Sequence, residues 1–180
     1  MIDLRIAGLP RAIRCGSLLV PVVTSFRAWI AFDHGLKEEG AASRCIFPDG
    51  KGPDGDSWIE GALRFLASPN STPRDTERSD AVAYDLVEDG EYIVSSFMQA
   101  YGIDLTDPSL DMHWHLFKAL FAGLPADTKM MRIIGWRTWR KDTRKNETVM
   151  AALKAAWRLP DAADKEYIDL QQRLFGNVKI

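Results

Sequence analysis

The sequence predicts a mainly α-helical protein, a single-domain helical bundle with a short N-terminal β-hairpin. Three observations predict it. Apolar residues recur at helical spacing through most of the chain. Capping residues, glycines and prolines punctuate those runs where helices start and stop. Only near the N-terminus do two short apolar runs flank a two-residue turn. The 180 residues are 46% hydrophobic and 27% charged, an ordinary globular mixture able to bury a core without staples.

The hairpin arm occupies residues 1–23. "AIRC" and "LLVPVV" flank Gly16-Ser17, and Pro21, lacking an amide donor, places its strand at an edge. The first helices span residues 24–68. Thr24 caps "SFRAWIAFDHG", in which Phe26, Trp29, Ile30 and Asp33 mark the turns and Gly35 the end. A Gly- and Pro-rich loop covers 43–57. "SWIEGALRFLAS" follows, with Ile59, Leu63 and Leu66 on one face. "PNSTPRDTERSD" reads as a second loop.

The main bundle spans residues 79–175. Ile93, Val94, Phe97, Met98 and Tyr101 fall at helical intervals before a stop at Gly102. Asp107-Pro108 reads as cap and first residue of a helix running to Leu124. Asp127 or Thr128 opens another helix, carrying Met130, Ile133, Ile134 and Trp136. "ETVMAALKAAWRLP" stops before Pro160. "DKEYIDLQQRLFG" aligns Tyr167, Leu170 and Leu174. Six or seven helices result.

The segment "DMHWHLFKALFAGL" carries the most chemistry on paper. On a helix from Pro108 to Leu124, Leu110, Trp114, Phe117, Phe121 and Leu124 share one face, and Met112, His113, Leu116 and Leu120 widen it. Asp111, His115, Lys118 and Ala122 form a narrower polar stripe. Such a helix belongs in the middle of a bundle. His113 and His115, two apart, point to different sides, unlike the i,i+4 pair of a zinc site. His113 reads as a core histidine bonded to a backbone carbonyl, and His115 as a surface partner of Asp111. No metal is expected.

Other chemistry is equally sparse. "GKGPDG" has the spacing of a dinucleotide loop, but Pro48 interrupts the strand it needs, and Asp49, Asp54 and Asp56 would repel a pyrophosphate. The same aspartates lack the alternation and closing glutamate of a calcium loop. No nucleophile elbow is present. Cys15 and Cys45 fit no metal or redox spacing, and a reduced cytosolic protein is expected, with one disulfide between them as the alternative. No signal core or membrane span is visible. The expectation is a soluble cytoplasmic protein that is not an enzyme and carries no cofactor.

Charge is unevenly spread despite a formal net charge of -2. Asp75, Glu77, Asp80, Asp85, Glu88, Asp89 and Glu91 crowd one segment. Arg137, Arg140, Lys141, Arg144 and Lys145 crowd another, beside Trp136 and Trp139. The first reading of the basic segment is a solvated helix end whose cations suit the helix dipole. The second is a protein contact, either to the acidic segment or to a partner. The third is nucleic-acid binding through phosphates and stacking. Trp136, Arg137, Trp139, Arg140, Lys141 and Arg144 are the candidate partner-binding residues.

These residues carry a family resemblance. "D-x-x-Y-I-x-x-x-F" at Asp89–Phe97, "Y-G-I-D-L" at Tyr101–Leu105, Leu110–Phe117 with Gly123-Leu124, and Ile133–Arg137 stand in the order found in the bacteriophage gene-product-15 family. The opening "LP…VPVVTSFRAWIAF" is similar too, although Ser25 stands where that family has an acid and "DMHWH" replaces a more compact His-Trp-Trp. The likeness runs to about Pro160. It implies a phage or prophage protein from the tail-gene cluster, similar to tail assembly chaperones. Such a protein binds the tape-measure protein in the host bacterial cytoplasm, with a second tail assembly chaperone or a further copy of itself as additional partners. A structural tail or tail-completion subunit, and a nucleic-acid-binding phage factor, are the alternatives.

Overall fold

The structure, a computed structural model, describes residues 8–36, 45–53, 55–67, 83–141 and 147–159. Within them lie strands β1 (Ala12–Cys15) and β2 (Leu18–Pro21) and helices α1 (Phe26–Gly35), α2 (Ser57–Leu66), α3 (Gly90–Tyr101), α4 (Trp114–Ala122), α5 (Lys129–Thr138) and α6 (Glu147–Ala156). The fold is mainly α with an N-terminal hairpin, as the periodicity predicts. The helix expected at 164–176 lies outside the described residues. No helix among the described residues is long and apolar enough to cross a membrane. The chain clusters into two compact units, residues 1–72 with 111–120, and residues 73–110 with 121–180.

The first unit is built on aromatic stacking. β1 and β2 pair antiparallel, with Ile13 opposite Val20. Ile13 and Cys15 are buried while Arg14 between them is exposed, the alternation a pleated strand imposes. β1 lies against α2. Gly61 makes that approach work, since a Cβ there would run into the carbonyl oxygen of Arg14. Trp29 stacks on Phe65 at 4.4 Å between centroids, and Phe26 stacks on Phe117 at 5.1 Å. The Trp29 indole N–H donates to the carbonyl of Val23. The loop after α1 is anchored at its described start. Ile46 and Phe47 are buried, and the Ile46 carbonyl accepts from the Val23 amide. Cys15 and Cys45 are free thiols.

The helix expected from Pro108 begins only at Trp114. Asp107 does not cap it. Its carboxylate instead accepts from the amide and hydroxyl of Ser109, and Asp104 does the same for Thr106. These local bonds compete with helix formation. The chain then runs extended beside the residues before α1. The Phe26 amide donates to Met112, the Trp114 amide donates to Thr24, and Ser25 and His113 form a bridge. The His113 Nδ1 accepts from the His115 amide, so its Nε2 carries the proton donated to the Pro10 carbonyl at 2.8 Å. Burial lowers the His113 pKa. His113 is thus a carbonyl-bonded histidine, as read from the sequence, although half-buried and outside the helix.

Two members of the polar stripe, His115 and Lys118, are buried, while Asp111 and Ala122 are exposed. His115 and Lys118 are each only 5% exposed. The Lys118 ammonium lies 2.7 Å from the Leu66 carbonyl and 3.0 Å from that of Ala67, with Phe65 at 3.5 Å. It caps the C-terminus of α2, where a cation also meets the negative end of the helix dipole. The Trp114 indole N–H donates to the same Leu66 carbonyl.

In the second unit α3 sets Ile93, Ser96 and Phe97 inward, and Gly102 ends it in the left-handed conformation at φ 66°. α5 buries Met130, Met131, Ile133 and Ile134. The Ser96 hydroxyl donates to the Tyr92 carbonyl and accepts from the Met130 amide, so a residue of α3 satisfies an orphan donor in the first turn of α5. α6 packs on α5 but has no fully buried residue.

Two outcomes are expected. Trp114, fully buried, should cost about 3–5 kcal/mol on replacement by alanine, read as a lowered urea midpoint; an unchanged midpoint would contradict its place in the core. Burial also pulls the Lys118 pKa down to about 7. A folded value below the unfolded one means that the unfolded chain binds more protons between the two. Stability relative to Lys118→Met should therefore rise as pH increases from about 7 towards the ordinary lysine value. A difference that stays flat or falls across that window would show that the carbonyls hold the ammonium charged.

Candidate partner-binding site

The candidate residues sit at the end of α5 and just beyond it, in the second unit. The structure divides them sharply. Arg137 does not face outward. It is 5% exposed and grips Asp89, which is 1% exposed. Its Nη1 donates to Asp89 Oδ2 at 2.6 Å and its Nη2 to Oδ1 at 2.8 Å. Two further donors are used as well, with Nε reaching the Trp157 carbonyl at 2.6 Å and Nη1 the Ala83 carbonyl at 3.3 Å. A planar guanidinium meets a carboxylate in this two-pronged way, and the carbonyls remove the cost of leftover donors.

Asp89 is held in turn by the chain that precedes it. Its Oδ2 accepts from the Asp85 amide, and Asp85 Oδ1 accepts from the amides of Val87 and Glu88. Asp89 also stands at the N-cap position of α3, where a negative charge suits the dipole. One pair thereby joins the start of α3, the end of α5 and the residue after α6. The acidic and basic segments of the sequence are complementary, and this pair is where they meet within one molecule.

The tryptophans are also engaged internally. The Lys129 ammonium sits over Trp136 at 4.9 Å and over Trp157 at 4.1 Å. The two indoles lie 5.4 Å apart, and Tyr92 meets Trp157 edge-on. The Trp139 carbonyl accepts from the Lys154 ammonium at 2.8 Å, which closes the end of α5. Both tryptophans are half-buried. Arg140 and Lys141 are exposed, and Lys141 pairs with Glu147 at 2.6 Å with 76% of its side chain in solvent. Arg144 lies outside the described residues. Sequence reasoning missed Lys129, Trp157 and Lys154. They come from two separate runs, α5 and the α6 segment, and only the pairing of acidic and basic segments hinted that charge would be spent internally.

The arrangement holds α3, α5 and the end of α6 together. No group of three or more His, Cys, Asp or Glu among the described residues is placed to hold a metal ion. Asp89→Asn and Arg137→Met should each cost about 3–5 kcal/mol, because each leaves a buried charge without its partner. Lys141→Ala should leave the unfolding midpoint unmoved. Equal midpoints for all three variants would contradict the structural role of the buried pair.

Comparison with known proteins identifies the chain. The family described as Bacteriophage Gp15 protein matches residues 62–159, more than half of the sequence. The chain belongs to this family. No curated protein and no solved structure matches it.

Proposed function

We propose that this member of the Bacteriophage Gp15 family is a tail assembly chaperone. It binds the tape-measure protein of its own phage or prophage in the host cytoplasm and keeps it soluble until tail-tube subunits assemble around it. The observation that carries the reading is family membership over residues 62–159. A tape-measure protein is long and rich in amphipathic helices, which aggregate unless their apolar faces are covered. The surface of this protein supplies apolar side chains for that purpose. Leu18 and Leu19 are 67% exposed, Val149 58%, and Val87 and Met98 nearly half. Around Val149, α6 also exposes Ala151, Ala152, Ala155 and Ala156, a face suited to helix packing.

The alternative of a nucleic-acid-binding phage factor loses support from the same structure. Arg137 is spent on Asp89, and Trp136 already packs against Trp157 and Lys129. Arg140 and Lys141 are what remain exposed among the described candidates. Their role in this reading is to steer an acidic partner. A structural tail or tail-completion subunit is the remaining rival.

Co-expression should raise the soluble yield of tape-measure fragments, and the two proteins should elute together. Purified mature tails should contain little of this protein. Arg140→Glu with Lys141→Glu should weaken capture mainly at low salt. If the tape-measure protein is equally soluble alone, and this protein is stoichiometric in finished tails, the structural-subunit reading replaces the chaperone.

A further inference from the structure

In the first unit, a cleft of about 280 Å³ opens beside β1 and α2. Its walls are partly apolar, with Ile13 and Phe65 among them. Three charged residues line it, Arg14 from β1 and Glu60 and Arg64 from α2. His115 lines it as well. That histidine is only 5% exposed, and its Nδ1 has no hydrogen-bond partner among the described residues. Buried polar groups are nearly always paired, so an unpaired ring nitrogen in the wall of a cleft is an observation that asks for a ligand.

We propose that this cleft binds a carboxylate carried on a short aliphatic stem, the chemistry of an acidic side chain presented by a peptide. Two arginines line the cleft, and a guanidinium carries the charge and paired N–H donors that a carboxylate accepts. Arg64 already bonds Glu60 at 2.6 Å through Nη2, and a guanidinium has further N–H groups to give. The Phe65 ring meets the His115 imidazole edge-on at 4.5 Å and provides an apolar surface for the stem. His115 is neutral at physiological pH, because burial, helped by the nearby Lys118, lowers its pKa to about 3. A neutral imidazole has one N–H to donate to an acceptor-only group.

The lining favours an anion. Arg14 and Arg64 against Glu60 leave one net positive charge, neutral His115 adds none, and Lys118 lies nearby. A monoanion matches the charge of the lining residues themselves. The volume lies just below the usual range for ligand pockets, which suits one side chain and excludes a nucleotide. Gly61 keeps β1 and α2 close enough for Arg14 and Arg64 to line one cleft. The cleft is independent of the tail-assembly reading, and either stands if the other fails.

The test is an NMR titration of the full ¹⁵N-labelled chain. The probe is N-acetyl-glutamate α-amide, with N-acetyl-glutamine α-amide as the uncharged isostere and inorganic phosphate as the competing oxyanion. The glutamate probe should give saturable shifts at the amides of Arg14, Gly61 and His115, and the glutamine probe none. Arg14→Gln with Arg64→Gln, two exposed positions, should weaken binding by about tenfold or more while the rest of the spectrum stays in place. The proposal is overturned by an absence of saturable shifts, by equal shifts from the glutamine probe, by tighter binding of phosphate, or by affinity that survives the double substitution.

Discussion

Short helices with unpaired ends set the terms for this protein. The described helices run from 9 residues in α4 to 12 in α3. Each leaves four amides and four carbonyls without an intrahelical partner, whatever its length. In helices this short the orphans are a third or more of all backbone polar groups. Local capping does little to help, because the N-cap residues of α1, α2, α3 and α5 make no side-chain cap bond. Side chains distant in sequence do the work instead. Lys118 closes the end of α2, Ser96 meets the first turn of α5, Lys154 closes α5, and Arg137 reaches the carbonyl after α6. Each cation lies at a carboxyl end, where the helix dipole also favours it.

That solution consumes polar residues that a surface reading would leave in water. Lys118 and Arg137 are long enough to bury their stems and still place charge on a carbonyl or carboxylate. Once Arg137 is locked to Asp89, Arg140 and Lys141 are the cations of the basic segment that stay exposed among the described residues.

The sequence made some of this legible and concealed the rest for identifiable reasons. Periodicity found the helices because burial of Phe97, Ile133 and Trp114 is a local pattern repeated every turn. The Gly16-Ser17 turn was legible for the same reason. The helix start at Asp107-Pro108 was misplaced because an aspartate before a proline caps a helix or closes a tight turn with equal ease. The choice fell to backbone bonds with Thr24 and Phe26, about 88 residues away by numbering. The burial of His115 and Lys118 was hidden because their partners lie in α2. Of the candidate site, the sequence located the charge complementarity but not its geometry. Nothing local distinguishes Arg137, which is buried, from Arg140, which is exposed.

The extent of the family match bears on which features can be carried over from it. Residues 62–159 contain the carbonyls capped by Lys118, the Ser96 contact to α5 and the whole Asp89–Arg137 network. They do not contain the hairpin, α1 or Arg14. The capped helical scaffold therefore lies inside the part of the chain by which membership is established, and a function read from membership must first be sought on α3 to α6. Leu18 and Leu19 at the hairpin stand outside that part. So does the β1 wall of the acidic-ligand cleft, while Arg64 and His115 stand inside it. If the cleft recognises an acidic side chain, its specificity joins a scaffold shared with the family to a hairpin that the family match does not reach.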